Sequence, residues 1–283
     1  MVEIRNKTLS AEISLKGAEL KKLDSKISYI HDSNPLYWNK SAPFLFPIIG
    51  KLRDGKTIID GKEYEIEKHG FLKGLVFDVV SQKEDEVVLR SKYSEETLLS
   101  YPFKYEVDIK FKVKGMSLLV EIKIKNVDDK EIAFNFGWHP AFRISKIEDY
   151  SLVFEKEEDI KSPKVHSNST LDFNTIVYAN KIKELKLKRE LFNIDTILIK
   201  DVKSSYVYLL NKENKGIKLS FPDFKTLAIW TPFDKDAPFI CLEPWYGNND
   251  HFDTNYDFYT KDDLIVLKPK ESKKFNYKID LIE

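Results

Sequence analysis

The sequence predicts an all-β chain folded as one large antiparallel β-sandwich, and three observations carry that expectation. Apolar and charged residues alternate along most of the chain, turn-forming clusters separate the alternating runs, and no long stretch has the 3.6-residue period of a helix. Alternation gives each strand one dry and one wet face, as antiparallel sheets packed face to face require.

Taken in chain order, "EVVLRSKY" reads as a strand, and "SEETLLSYPF" offers one or two helical turns because Ser94 can cap and Glu95 and Glu96 favour a helix start. In "YEVDIKFKVKGMSLLVEIKIKNV", Tyr105, Val107, Ile109, Phe111 and Val113 alternate with charged residues. After Lys114 and Gly115 the pattern resumes at Leu118, Val120, Ile122 and Ile124, which makes a hairpin. The lysine-rich "NKIKELKLKREL" reads as an edge or surface strand, since exposed lysine discourages pairing between chains. "SSYVYLLNKENKGIKLSF" and "LIVLKPKESKKFNYKIDLI" read as two more hairpins closed by Asn, Gly, Pro, Ser and Lys turns.

A length of 283 residues suits two ordinary domains or one large β domain. No linker, composition shift or repeat interrupts the strands, so residues 1–283 read as one domain, a sandwich in preference to a barrel. The 46 basic residues equal the 46 acidic ones, leaving no excess charge for a nucleic-acid backbone or an anionic membrane. A small neutral partner fits better. The lone Cys241 excludes an internal disulfide framework, "MVEIRNKTLS" lacks the features of a secretory signal, and no run nears the roughly 20 apolar residues of a membrane span. The expectation is a soluble cytoplasmic protein, monomer or homodimer.

Four titratable groups stand out. In "NFGWHPAFRI" His139 precedes Pro140, which keeps it extended near a strand end. In "FICLEPWYG" Glu243 precedes Pro244 after an apolar run, so a carboxylate is expected where the core gives way to a loop. Trp138 and Trp245 stand beside them. "KHGFLKG" supplies His69, and "FPIIGKLRDG" ends in Arg53, a fixed cation with several donors. A His and a Glu in partly apolar surroundings suit general acid and base work. Tryptophan faces stack on sugar rings while Arg, His and Glu bond hydroxyls, so the inventory points to a carbohydrate.

Those four motifs, in the chain order "FPIIGKLRDG", "KHGFLKG", "FGWHPAF" and "ICLEPWYG" and across nearly the whole chain, resemble the aldose 1-epimerase (galactose mutarotase-like) family, and most of all its less characterised branch. The resemblance implies a large antiparallel sandwich, the galactose mutarotase-like supersandwich, with a sugar cleft on one concave sheet. It also implies interconversion of α and β anomers with no cofactor and no metal. Matched by motif, Glu243 takes the place of the catalytic base, His139 of the acid, and His69 of the second histidine on the sugar. Arg53 and Asp195 match the substrate-binding arginine and aspartate. Some members act on hexose 6-phosphates with extra arginines for the phosphate; Lys73, four residues after His69, is the candidate here.

Competing readings remain for the site: a hexose-6-phosphate epimerase, a carbohydrate-binding or sensor protein without turnover, and a glycoside-processing enzyme with Asp195 and Glu243 as its carboxylates. His31 and His166 stand among polar residues and read as surface positions. Asp250, Asp253, Asn255 and Asp257 lack the spacing and glycine of a calcium loop.

Overall fold

Most alternating runs that lie close in the chain pair with each other, and the remaining pairs join distant segments. The computed structural model describes every residue from Met1 to Glu283. Its larger antiparallel sheet has nine strands, in the spatial order Leu171–Lys186, Tyr150–Val165, Tyr206–Asn211, Gly216–Ser220, Ser272–Ile282, Ser117–Asn126, Tyr105–Lys114, Glu86–Lys92 and Asp78–Gln82. The smaller sheet runs Ile197–Lys200, Thr226–Trp230, Phe239–Tyr246, Phe136–Trp138 and Phe44–Leu45, with Ala141–Arg143 also paired to Phe239–Tyr246. Three short strands at the N-terminus form their own sheet. The chain has no helix long and apolar enough to cross a membrane.

The two large sheets pack as a sandwich through aromatic side chains. Phe136 lies 4.9 Å from Phe275, Trp138 5.1 Å from Tyr277, and Phe44 6.2 Å from Phe111, measured between ring centroids. Burying each ring contributes roughly 2–3 kcal/mol, and truncating one to alanine leaves a cavity that raises the loss to about 3–5 kcal/mol. Trp138 belongs to this core. It is fully buried, and its indole N–H donates to the carbonyl of Ala42 at 2.9 Å. Neighbours along a strand point to opposite faces, so a chain that turns His139 outward must turn Trp138 inward. The expectation that Trp138 forms a sugar platform is corrected accordingly.

Other expectations meet the structure at specific places. The helix Glu95–Ser100 forms with Ser94 as its cap, and Thr97 returns the bond to the Ser94 N–H at 2.8 Å. The lysine-rich run ends the edge strand Leu171–Lys186, with Lys181, Lys183 and Lys186 exposed. The C-terminal "hairpin" is not one. Ile265–Leu267 pairs with Ile132–Phe134, whereas Ser272–Ile282 pairs with Ser117–Asn126 and Gly216–Ser220, because alternation specifies a face but not a partner.

One departure from regular pairing shapes the functional surface. The hairpin of Tyr150–Val165 and Leu171–Lys186 breaks register four times, and bulges of this kind bend a strand. Past the third of them, the hydroxyl of Ser162 accepts the Leu198 N–H at 2.9 Å, and Leu171 packs with Leu198 and Trp245. The hairpin tip thus leaves the large sheet and walls the outer face of the small one.

Candidate active site

Alternation sorts the side chains of Phe239–Tyr246. Ile240 and Leu242 join the main core, while Cys241, Glu243 and Trp245 share the opposite face. Glu243 therefore sits inside a strand, paired to Ala228, and not at the strand-to-loop transition expected from the sequence. That face floors a cavity of about 400 Å³, a size suited to one small ligand. Gly137 lies across from Trp245, and a β-carbon there would stand 2.6 Å from the indole, so only glycine leaves room for the ring where it stands.

His139 falls between the strands Phe136–Trp138 and Ala141–Arg143, with its backbone N–H on the carbonyl of Pro43 at 3.0 Å. Its Nε2 stands 3.0 Å from Glu243 Oε2. The two side chains are 10% and 1% exposed, so the pair is largely removed from water yet opens onto the cavity. The contact is close but misaligned for a hydrogen bond, and both Glu243 Oε2 and His139 Nδ1 lack a hydrogen-bond partner. Burial pushes the Glu243 carboxyl above the ordinary carboxylate value, opposed by the attraction of His139.

Two turns clamp His69 beneath the pair. Its backbone N–H donates to the carbonyl of Gly50 at 2.7 Å, and the Gly50 N–H donates to His69 Nδ1 at 3.1 Å. Gly50 has φ +64°, and a β-carbon there would overlap the side-chain amide of Asn249, so glycine is required. His69 itself has φ +66°, a left-handed conformation that costs a non-glycine residue energy and recurs at functional positions. Its ring lies 5.6 Å from that of His139 and 6.0 Å from that of Trp245. Desolvation first, then repulsion from His139, holds His69 well below the usual histidine range, although part of its surface stays accessible through the cavity. The ring is neutral, and because a backbone N–H can only donate, Nδ1 is the acceptor. The hydrogen is therefore on Nε2.

Asp195, at φ +87°, stands exposed at the mouth, near enough to Glu243 to raise its carboxyl slightly further. Trp245 is buried against the floor with its indole N–H unpartnered. Lys73 also borders the cavity, but its ammonium donates to the carbonyls of Lys68 and Gly70 and pairs with Glu67 at 3.1 Å. Arg53 lies outside. Past the turn at Gly50 the chain heads away, and the guanidinium bonds the carbonyl of Thr254 at 2.6 Å and stacks on Tyr256 at 4.7 Å. A direct role for Arg53 on a ligand in this cavity is corrected on that ground.

Three contributors escaped the sequence reading. Trp38 stacks on His139 and Trp230 meets it edge-on at 5.9 Å, both bordering the cavity. Trp230 ends the apolar strand Thr226–Trp230, and that position could have singled it out. Trp38 sits in a polar loop and gave no such signal. His31, expected at the surface, is 1% exposed, its Nε2 2.9 Å from the carbonyl of Trp38. In the acidic loop, Asp250 pairs with buried Lys261 and accepts the Arg53 N–H, while Asp257 caps the turn Phe258–Thr260.

Comparison with known proteins gives this arrangement a lineage. The aldose 1-epimerase family model matches residues 1–280. The plasmid and chromosomal forms of protein LacX from Lactococcus lactis subsp. lactis are each 30% identical over 297 residues, covering 99% of both chains. A galactose mutarotase-like protein from Lactobacillus casei superposes with a TM-score of 0.95 at 28% identity, covering 99% of each chain. A galactose mutarotase related enzyme from Lactobacillus acidophilus shares the fold, with a TM-score of 0.94 at 24% identity over 100% of this chain and 97% of its own. The chain belongs to the aldose 1-epimerase family, and that membership supports a general epimerase or mutarotase role.

Proposed function

We propose that this protein is a cofactor-independent aldose 1-epimerase acting on an unphosphorylated hexose such as galactose or glucose. The observation that carries the reading is the buried His139–Glu243 pair, facing a ligand-sized cavity with unused hydrogen-bonding capacity. The anomeric hydroxyl and the ring oxygen share one carbon, so the base and acid that serve them must be neighbours.

Glu243 takes the proton from the anomeric hydroxyl as a C=O bond forms there. The bond from the anomeric carbon to the ring oxygen breaks, and its electron pair goes to that oxygen, which receives a proton from His139 Nε2. Rotation about the bond between the first two carbons turns the other aldehyde face to the ring hydroxyl, and reversal of both transfers closes the opposite anomer. The cycle moves protons within one buried pair and leaves net charge unchanged. Each acid or base step supplies typically about 10²–10⁴ in rate. The His69 Nε2–H is a pre-set donor to a sugar oxygen, Asp195 accepts from a hydroxyl at the mouth, and Trp245, Trp38 and Trp230 give apolar walls for the C–H faces of the ring.

Proton NMR on separate solutions of pure α and β anomers of galactose and glucose tests the reading. The protein should bring each to anomeric equilibrium faster than buffer alone. A bound sugar whose anomers equilibrate at the buffer rate would leave a binding protein, and cleavage of a glycoside would put the reaction in another class.

A further inference from the structure

Cys241 shares a strand face with Glu243 and takes no part in the proposed reaction. It is the only cysteine of the chain, fully buried, and two residues from Glu243, so both side chains emerge on one side of a rigid central strand. His139 reaches the same point from the adjoining segment. One imidazole nitrogen, the Cys241 sulfur and one Glu243 oxygen all lie within 4.8 Å of one another. His139 and Glu243 are each more than nine-tenths buried, and each keeps a polar atom without a partner.

This donor set has a specific chemical meaning. Thiolate, imidazole and carboxylate together suit a borderline-soft ion that accepts four tetrahedral ligands, whereas calcium and magnesium select oxygen. Ligand atoms around zinc stand roughly 3.3–3.8 Å apart, given bonds of about 2.0–2.3 Å. The trio needs to close by at most about 1.5 Å, within the reach of side-chain rotation, and the cavity leaves the fourth position to water. Charge also balances: a dication with one thiolate, one carboxylate and one neutral imidazole is a neutral unit, the form that a buried site tolerates best. Binding releases the thiol proton, and the proton that His139 carries as the acid, to solvent.

We propose that His139, Cys241 and Glu243 form a site for a thiophilic divalent cation, zinc foremost, and that the ion and the sugar exclude each other. The exclusion rests on the epimerase reading, because an ion held by Glu243 and His139 takes the basic oxygen of Glu243 and displaces the His139 proton that the reaction uses. The binding itself does not. An enzyme so built is shut off by free zinc and restored by chelation, with Cys241 as the residue that makes its catalytic pair sensitive to metal.

Cobalt serves as the spectroscopic probe and zinc as the inhibitor, both on the full chain after chelator treatment. Wild type should bind one Co²⁺ with a thiolate-to-cobalt charge-transfer band and tetrahedral visible bands, and Zn²⁺ should displace it. Cys241→Ala and Cys241→Ser should lose the thiolate band and weaken zinc binding by about 100-fold or more, since even outer-shell partners carry 10–100-fold. Both variants should epimerise galactose at the wild-type rate at zinc concentrations that halve wild-type activity. Two variants guard against one misfolding, and circular dichroism confirms the fold of each. Absence of the thiolate band in wild type, or equal zinc inhibition of wild type and Cys241→Ala, overturns the proposal. A thiolate band in a protein that turns over no sugar would sink the epimerase reading and leave the cation site standing; turnover without the band does the reverse.

Discussion

Trp38 lies nearly parallel to the imidazole of His139, with ring centroids 4.7 Å apart and planes 29° from one another. The indole covers one face of the proposed acid, and His31 holds the loop that delivers it by bonding the Trp38 carbonyl. Losing the stack should free the imidazole to leave its productive orientation, and small misplacements of a catalytic group cost on the order of 10²-fold. Trp38→Ala is therefore expected to lower kcat/KM by roughly 10- to 100-fold with little change in Tm, and Trp38→Phe should recover part of it. Steady-state kinetics beside thermal melts check this; an unchanged kcat/KM in Trp38→Ala would remove Trp38 from the mechanism.

Activity should depend on pH through the buried pair. The base must be ionised, and burial raises the Glu243 carboxyl, so the rising limb of kcat/KM is expected above the ordinary value of 4.5. The two limbs belong to the coupled pair, not to either residue alone. His139→Asn should abolish the falling limb while reducing the maximum. A rising limb at or below 4.5 would show that the base is a different, solvated carboxylate.

Stability should depend on pH through His69. Its folded-state pKa lies well below the ordinary value of 6.5, so the unfolded chain binds a proton that the folded one refuses. The stabilising contribution of a neutral His69 is present above about 6.5 and is lost as pH falls below it, down to the depressed folded value. His69→Asn, which tolerates the same left-handed backbone, should flatten the decline of Tm between neutral and mildly acidic pH. Parallel Tm–pH curves for variant and wild type would show that the imidazole is not held neutral. His31, also lowered by burial, should contribute in the same direction.

Sugar phosphates should be poorer substrates than free sugars. Lys73 is bound to two backbone carbonyls and to Glu67, and a phosphate would have to compete with all three. The expected kcat/KM for glucose exceeds that for glucose 6-phosphate in wild type, and Lys73→Ala should alter the two alike by loosening the turn around His69. A preference for the phosphate that weakens with salt and vanishes in Lys73→Ala would reverse this choice of substrate.

Much of the fold was legible because alternation is a local signal: Tyr105–Lys114 and Ser117–Asn126 are adjacent in the chain and pair there. Ile265–Leu267 and Ser272–Ile282 alternate as clearly, but their partners lie far away in sequence, and a pattern of faces cannot name them. The cavity brings together Glu243, His139, His69, Asp195 and Trp245, each of which sequence reasoning had singled out. It leaves out Trp138 and Arg53. Trp138 could have been excluded by the alternation that turns its neighbour His139 the other way. Arg53 could not, because its direction depends on the turn at Gly50 and on the loop of Thr254 and Tyr256, which meet it only in three dimensions. Trp38 and His31 were invisible for the same reason.

The most direct measurement is mutarotation of pure α-galactose by the Glu243→Gln variant, followed by polarimetry together with sugar titration and a thermal melt. Glutamine keeps the shape of the side chain and removes its basicity and the cost of a buried charge. The account predicts turnover lowered by at least about 10²–10⁴, sugar affinity kept within a few-fold, and a Tm at neutral pH no lower than that of wild type. Turnover near the wild-type rate would contradict Glu243 as the base, and loss of activity accompanied by a falling Tm would show that the carboxylate only holds the sheet together.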